Sequence, residues 1–120
     1  MINNTNIKEI SFNFAVKVIG VYQHIAEVKK DFLLSKQLVK SATSIGACIN
    51  EAVLGISNKD FLQHMNEALR DSQETEYWLR LLYKTNYLSE KEFKSIYNES
   101  VELIKMLSSI IESSKLKPQL

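Results

Sequence analysis

Two histidines, one cysteine and a scatter of carboxylates are the side chains in this 120-residue sequence that could hold a metal or move a proton. A di-iron site in a helical protein needs Glu-x-x-His pairs, so that both ligands project from one helix face. Three residues before His24 stands Val21, and three before His64 stands Phe61, so the pairing is missing. His24, His64 and Cys48 also lack the paired ligand spacing of zinc sites. No metal and no cofactor is expected, and each histidine reads as a surface or boundary residue. Cys48 lies within Ser41-Ala42-Thr43-Ser44-Ile45-Gly46-Ala47-Cys48, away from any helix N-terminus that would lower its pKa, and reads as a small packing residue. Glu51 and Glu74 are the carboxylates singled out. Facing each other in a pocket they could do acid–base work, but nothing else in the chain completes such a site. The reading favoured is a structural polar network in which each is bonded, between helices or subunits, to Lys, Arg or Tyr. No catalytic residue is expected, and the protein reads as no enzyme.

Composition bounds the elements that position these groups. A chain 45% hydrophobic and 24% charged is not disordered, and three Gly with one Pro leave too few turn residues for an all-β fold. One cysteine excludes an internal disulfide and points to a reducing compartment. The first ten residues carry no targeting pattern, and no apolar run is long enough to cross a bilayer. The expected location is cytoplasmic, without membrane contact, and the length fits one domain over residues 1–120.

Periodicity predicts four helices, at about 11–30, 35–56, 58–86 and 90–115. Ser11, Ser35, Ser57 and Ser89 are the expected N-caps, and Ser89 with Glu92 spells a capping box. Phe61, Met65, Ala68, Ser72, Thr75, Leu79 and Leu82 make one stripe; Phe93, Ile96, Tyr97, Ile104, Leu107 and Ile111 make another. Short polar joints at Asp31, Ser57 and Asn86 to Ser89 connect antiparallel neighbours, and the last helix should fade before Pro118. The fold class is all-α, an up-down-up-down antiparallel four-helix bundle. Gly46 is isolated and forms no phosphate loop; with Ala42 it is expected to let another helix come close, offsetting the roughly 1 kcal/mol of helix propensity that Gly loses to Ala.

Two segments hold more apolar surface than one stripe needs. Between Phe14 and Tyr22 only Lys17 and Gly20 are neither apolar nor aromatic, and between Tyr77 and Tyr83 only Arg80 is polar. Tyr77 and Leu81 point nearly opposite the Leu79/Leu82 stripe, with Trp78 at its edge. Tyr77, Trp78 and Leu81, with part of the first helix, are therefore expected between subunits. Charge is uneven: residues 1–50 hold six Lys against three acids, a net of +3, and residues 51–102 hold six Lys or Arg against ten acids, a net of −4. Lys29, Lys30, Lys36 and Lys40 gather around the first turn between helices and are the candidate nucleic-acid contacts, with solvated helix ends as the plainer alternative.

Ser35-Lys36-Gln37-Leu38, then Ser44-Ile45-Gly46-Ala47-Cys48-Ile49-Asn50-Glu51-Ala52, then Ala68-Leu69 and Glu74-Thr75-Glu76-Tyr77-Trp78-Leu79 form a combination of motifs. It resembles the 23S rRNA intervening-sequence proteins, a family of small bacterial four-helix bundles, over about Phe12 to Leu88. The family pattern S-I-x-A-N-I-x-E-A/G is broken at Cys48, where relatives carry Asn. Any hydrogen bond made by that Asn is lost or weakened here. Asn50 points about 200° away and does not substitute. The resemblance implies an antiparallel bundle assembled as a ring-shaped homopentamer, with many members encoded inside large-subunit ribosomal RNA genes. It also implies kinship with the accessory proteins of diversity-generating retroelements, whose basic pentamers bind nucleic acid and a reverse transcriptase. No catalytic residues are established for the family. The expected function is a non-enzymatic homo-oligomeric scaffold touching RNA or a nucleic-acid-processing partner through a basic rim. The alternatives are a protein–protein adaptor without nucleic-acid contact and a bundle that binds metal or a small molecule.

Overall fold

A residue spacing that alternates three and four keeps one line of side chains on the same side of a helix, and each helix of this chain buries such a line. The computed structural model describes residues 4–30 and 32–116. Among them are α1 (Asn4–Lys29), α2 (Leu33–Val53), α3 (Asn58–Lys84) and α4 (Glu90–Lys115). The buried lines are Ile7, Ser11, Phe14, Val18 and Ile25 in α1; Ser35, Leu38, Ala42, Ile45, Ile49 and Ala52 in α2. Those of α3 and α4 run Met65, Ala68, Ser72, Thr75, Leu79, Leu82 and Ile96, Ser100, Leu103, Leu107, Ile110, Ser114. Each helix packs on its two sequence neighbours around a square, α1 on α2, α2 on α3, α3 on α4 and α4 back on α1, and the diagonals do not touch. The result is the expected antiparallel bundle, 51 Å long and about 20 Å across.

Two helix starts differ from the expectation. Ser11 does not cap α1, which begins at Asn4; it is buried mid-helix and donates Oγ to the Lys8 carbonyl at 3.1 Å. Ile7, wholly buried, continues the core line one turn earlier, and its burial carries the helix through the polar start. Ser35 likewise sits in the core line of α2, its Oγ 3.5 Å from the Phe32 carbonyl, while Phe32 occupies the cap position without a side-chain bond. Serine satisfies its hydroxyl on the preceding turn as readily as on a helix start, so the residue type alone does not tell the two apart. Ser57 and Ser89 are caps, accepting from the Asp60 and Glu92 amides at 3.1 Å, and Glu92 closes the capping box.

Helix ends are set by backbone geometry. α2 stops at Val53, three residues before Ile56, where a Cβ on Gly55 would lie 2.8 Å from Asp60 Oδ2 and 3.0 Å from the Ala52 carbonyl. α3 ends with Asn86 at φ 68°, the Tyr87 amide donating to Leu82 at 2.8 Å and the Asn86 amide to Tyr83 at 3.1 Å. These two bonds form a Schellman motif. Gly46 faces α1: a Cβ there would meet Ser11 Oγ at 3.6 Å, ordinary contact distance, so alanine would also fit. Phe93, Tyr97 and Ile104, expected in the α4 core stripe, lie half-buried beside it. The joint at Asp31 and the stop at Pro118 lie outside the described residues.

Candidate functional site

The four candidate lysines are all exposed. Lys29 and Lys30 end α1, Lys36 lies in the first turn of α2, and Lys40 follows one turn on, so the four flank one end of the bundle. The topology brings the α3–α4 turn to the same end, where Lys29 Nζ stands 6.0 Å from the centre of the Tyr87 ring. Lys30 adopts a left-handed backbone, φ 56°.

Tyr77, Trp78 and Leu81 are divided between two faces of α3. Trp78 stands seven residues after Asp71, on the same side of the helix. It packs against the core and donates Nε1 to Glu74 at 3.3 Å. Tyr77 is 53% exposed and touches the indole edge-on, ring centres 5.2 Å apart. With Leu81, Arg80 and Lys84 it borders an apolar groove of about 400 Å³ between α3 and α4. The floor is an aromatic ladder. Tyr83 stacks on Phe93 at 4.3 Å, and Phe93 on Tyr97 at 4.8 Å. Burial pushes the Tyr97 hydroxyl above its ordinary pKa, helped by its hydrogen bond to the Glu76 carboxylate, while Arg80 opposes the shift. Sequence reading missed this groove because Phe93 and Tyr97 fit a core spacing; the signal was the third aromatic, Tyr83, at the facing end of α3.

Glu51 and Glu74 take separate partners. Glu51 Oε2 approaches His64 Nδ1 at 3.3 Å, and Asp60 lies 3.7 Å from the other ring nitrogen. Because those carboxylates flank opposite nitrogens, they cannot share one metal ion with the imidazole. No metal-ligating group of three or more residues occurs among the described residues. His24 lies 3.7 Å from Glu92 across the α1–α4 seam, where Lys17 also pairs with Glu99 and donates to Ser95 at 2.8 Å.

Cys48, half-buried on α2, points at α3. Its Sγ lies 3.6 Å from Asp71 Oδ2 and 3.9 Å from Glu67 Oε2. Burial first, then the negative charge of Asp71, pushes the thiol up to about 11. Asp71 is raised too, by burial, although the thiol hydrogen bond works against the shift. The thiol is thus held protonated as a donor to a carboxylate, the opposite of a nucleophile's setting. No helix among the described residues is long and apolar enough to cross a membrane.

The bundle geometry has a close counterpart among solved structures. A protein of unknown function from the S23 ribosomal protein family of Bacteroides thetaiotaomicron superposes with a TM-score of 0.88 at 42% identity, over 91% of this chain and 97% of that one. A comparison with curated proteins gives no match. The sequence model of the 23S rRNA-intervening sequence protein family matches residues 3–109, and that family is one of unknown function with no catalytic class attached. With the motifs on α2 and α3, the square of four helices and this match across nearly the whole chain, the protein belongs to the 23S rRNA-intervening sequence protein family.

Proposed function

We propose that the chain is a non-enzymatic scaffold that assembles with copies of itself and contacts RNA, or a protein that processes nucleic acid, through the rim formed by Lys29, Lys30, Lys36 and Lys40. The observation that carries the assembly is apolar surface left uncovered by the bundle: Phe12 is 67% exposed and Val16 55%, besides Tyr77. A stable monomer seldom leaves such side chains clustered in water. Five copies in a ring is the number that the family resemblance implies, and Tyr77, Trp78 and Leu81 are the proposed contact residues. The lone cysteine supports a cytoplasmic setting. Repetition of the lysine rim around a ring would raise its field well above that of one copy.

Light scattering after gel filtration tests the assembly: several multiples of 13.8 kDa are expected, and a mass of one chain rejects it. Gel-shift titration with structured RNA at two salt concentrations tests the rim, with binding at low salt that weakens at high salt expected. The near-neutral net charge of +1 favours a second reading, a protein–protein adaptor without nucleic-acid contact. Assembly without RNA binding at low salt would select it.

A further inference from the structure

We infer that the outward stripe of α1 in one copy seats in the α3–α4 groove of the next, so that the contact between copies joins two different surfaces. This rests on the self-assembly just proposed and specifies its two faces. Phe12, Val16 and Ile19 recur at four and three residues, far round the helix from the core line through Ser11, Phe14 and Val18, and all three are exposed. The groove bordered by Tyr77 and Leu81 over Phe93 and Tyr97 is the matching concavity. Within one chain the two never meet, because α1 and α3 are diagonal and do not touch.

Two further observations fit a second copy as the occupant. Glu9 and Glu27 stand beside the two ends of the stripe and make no ion pair among the described residues, while the groove carries the cations Arg80 and Lys84. The charges are complementary in sign. Gly20 lies next to the stripe in the middle of α1, and a Cβ there would meet nothing within 4 Å. Inside the chain that glycine forfeits helix propensity without a packing reason. A helix-spaced ridge from another copy, lying close against α1, supplies one. A contact between unlike surfaces propagates from copy to copy and closes into a ring when the rotation allows, whereas a self-matching patch stops at two.

The test uses the full chain and two exposed double variants. Phe12→Asp with Val16→Asp spoils the stripe; Tyr77→Asp with Lys84→Glu spoils the groove. If wild type runs as a single chain in light scattering, self-assembly and this inference fall together. If wild type assembles, each double variant alone should be monomeric with unchanged helical circular dichroism. An equal mixture of the two should form a one-to-one dimer through the intact stripe of one and the intact groove of the other. Assembly that survives either variant, or a mixture that stays monomeric, overturns the pairing and leaves self-assembly standing. Gly20→Gln, which fits the chain without a clash, guards against a folding artefact. It should weaken assembly by about tenfold or more, and an unchanged association constant overturns the inference.

Discussion

Ser100 and Cys48 show opposite ways of placing a polar atom in this core. The Ser100 hydroxyl is buried and finds no hydrogen-bond partner among the described residues, whereas the hydroxyls of Ser41 and Thr75 lie 2.9 Å apart across the α2–α3 seam. An unmet buried hydroxyl costs desolvation without return. Ser100→Ala should therefore stabilise the fold by about 1 kcal/mol, seen as a rise in melting temperature, while Thr75→Val, which breaks the bond to Ser41, should lower it. Cys48 has its partner in Asp71. With the folded thiol near 11 against 9.0 for a free one, roughly a hundredfold less thiolate is present at pH 8.5, and alkylation by iodoacetamide should be slower by that factor. The sign for stability follows from the raised value. The folded state keeps the proton longer, so the contribution is complete below pH 9.0 and is lost as pH rises towards about 11. Cys48→Ala should flatten that loss in denaturant titrations at pH 8 and pH 11. The packing role of Cys48 was legible from its place in a helical run. Its carboxylate neighbours were not, since Glu67 and Asp71 come from another helix and only the α2–α3 register brings them to the thiol.

Helix identity was legible because the three-four spacing of α3 is unbroken from Met65 to Leu82. Helix starts were less so, for a physical reason. Ser57 and Ser89 are followed by acids whose amides they cap, while Ser11 and Ser35 carry no such signal and turn inward. Ser89→Ala should cost about 1 kcal/mol, and adding Glu92→Ala should cost less than its separate effect, since the two form one box. Lys30 offers the reverse case. A lysine held at φ 56° carries the strain of the left-handed region, and glycine does not. Lys30→Gly should stabilise the chain by roughly 1 kcal/mol, measured by thermal unfolding at low salt. A fall in melting temperature would mean that its side chain contributes more than its backbone strains.

For the whole molecule the deciding quantity is charge presented per assembly, because a net charge of +1 per chain cannot by itself draw in RNA. The rim concentrates four lysines at the end where α1 leaves and α2 enters, with Tyr87 beside Lys29. Counterion release makes the logarithm of affinity fall linearly with the logarithm of salt, with a slope of about −0.7 per phosphate neutralised on a single strand. Four lysines acting from one copy would give about −3. A ring that offers several rims to one RNA must give a steeper slope, and a monomeric double variant of the stripe must return it to about −3 or weaker. Lys36→Glu with Lys40→Glu should lower the slope in proportion to the phosphates released and leave the assembly mass unchanged, since neither side chain lies on the stripe or in the groove. A slope insensitive to those lysines would place RNA elsewhere on the bundle. Binding that keeps the same slope when the ring is broken would separate recognition from assembly, making the ring a means of stabilising the fold and the rim a property of each copy.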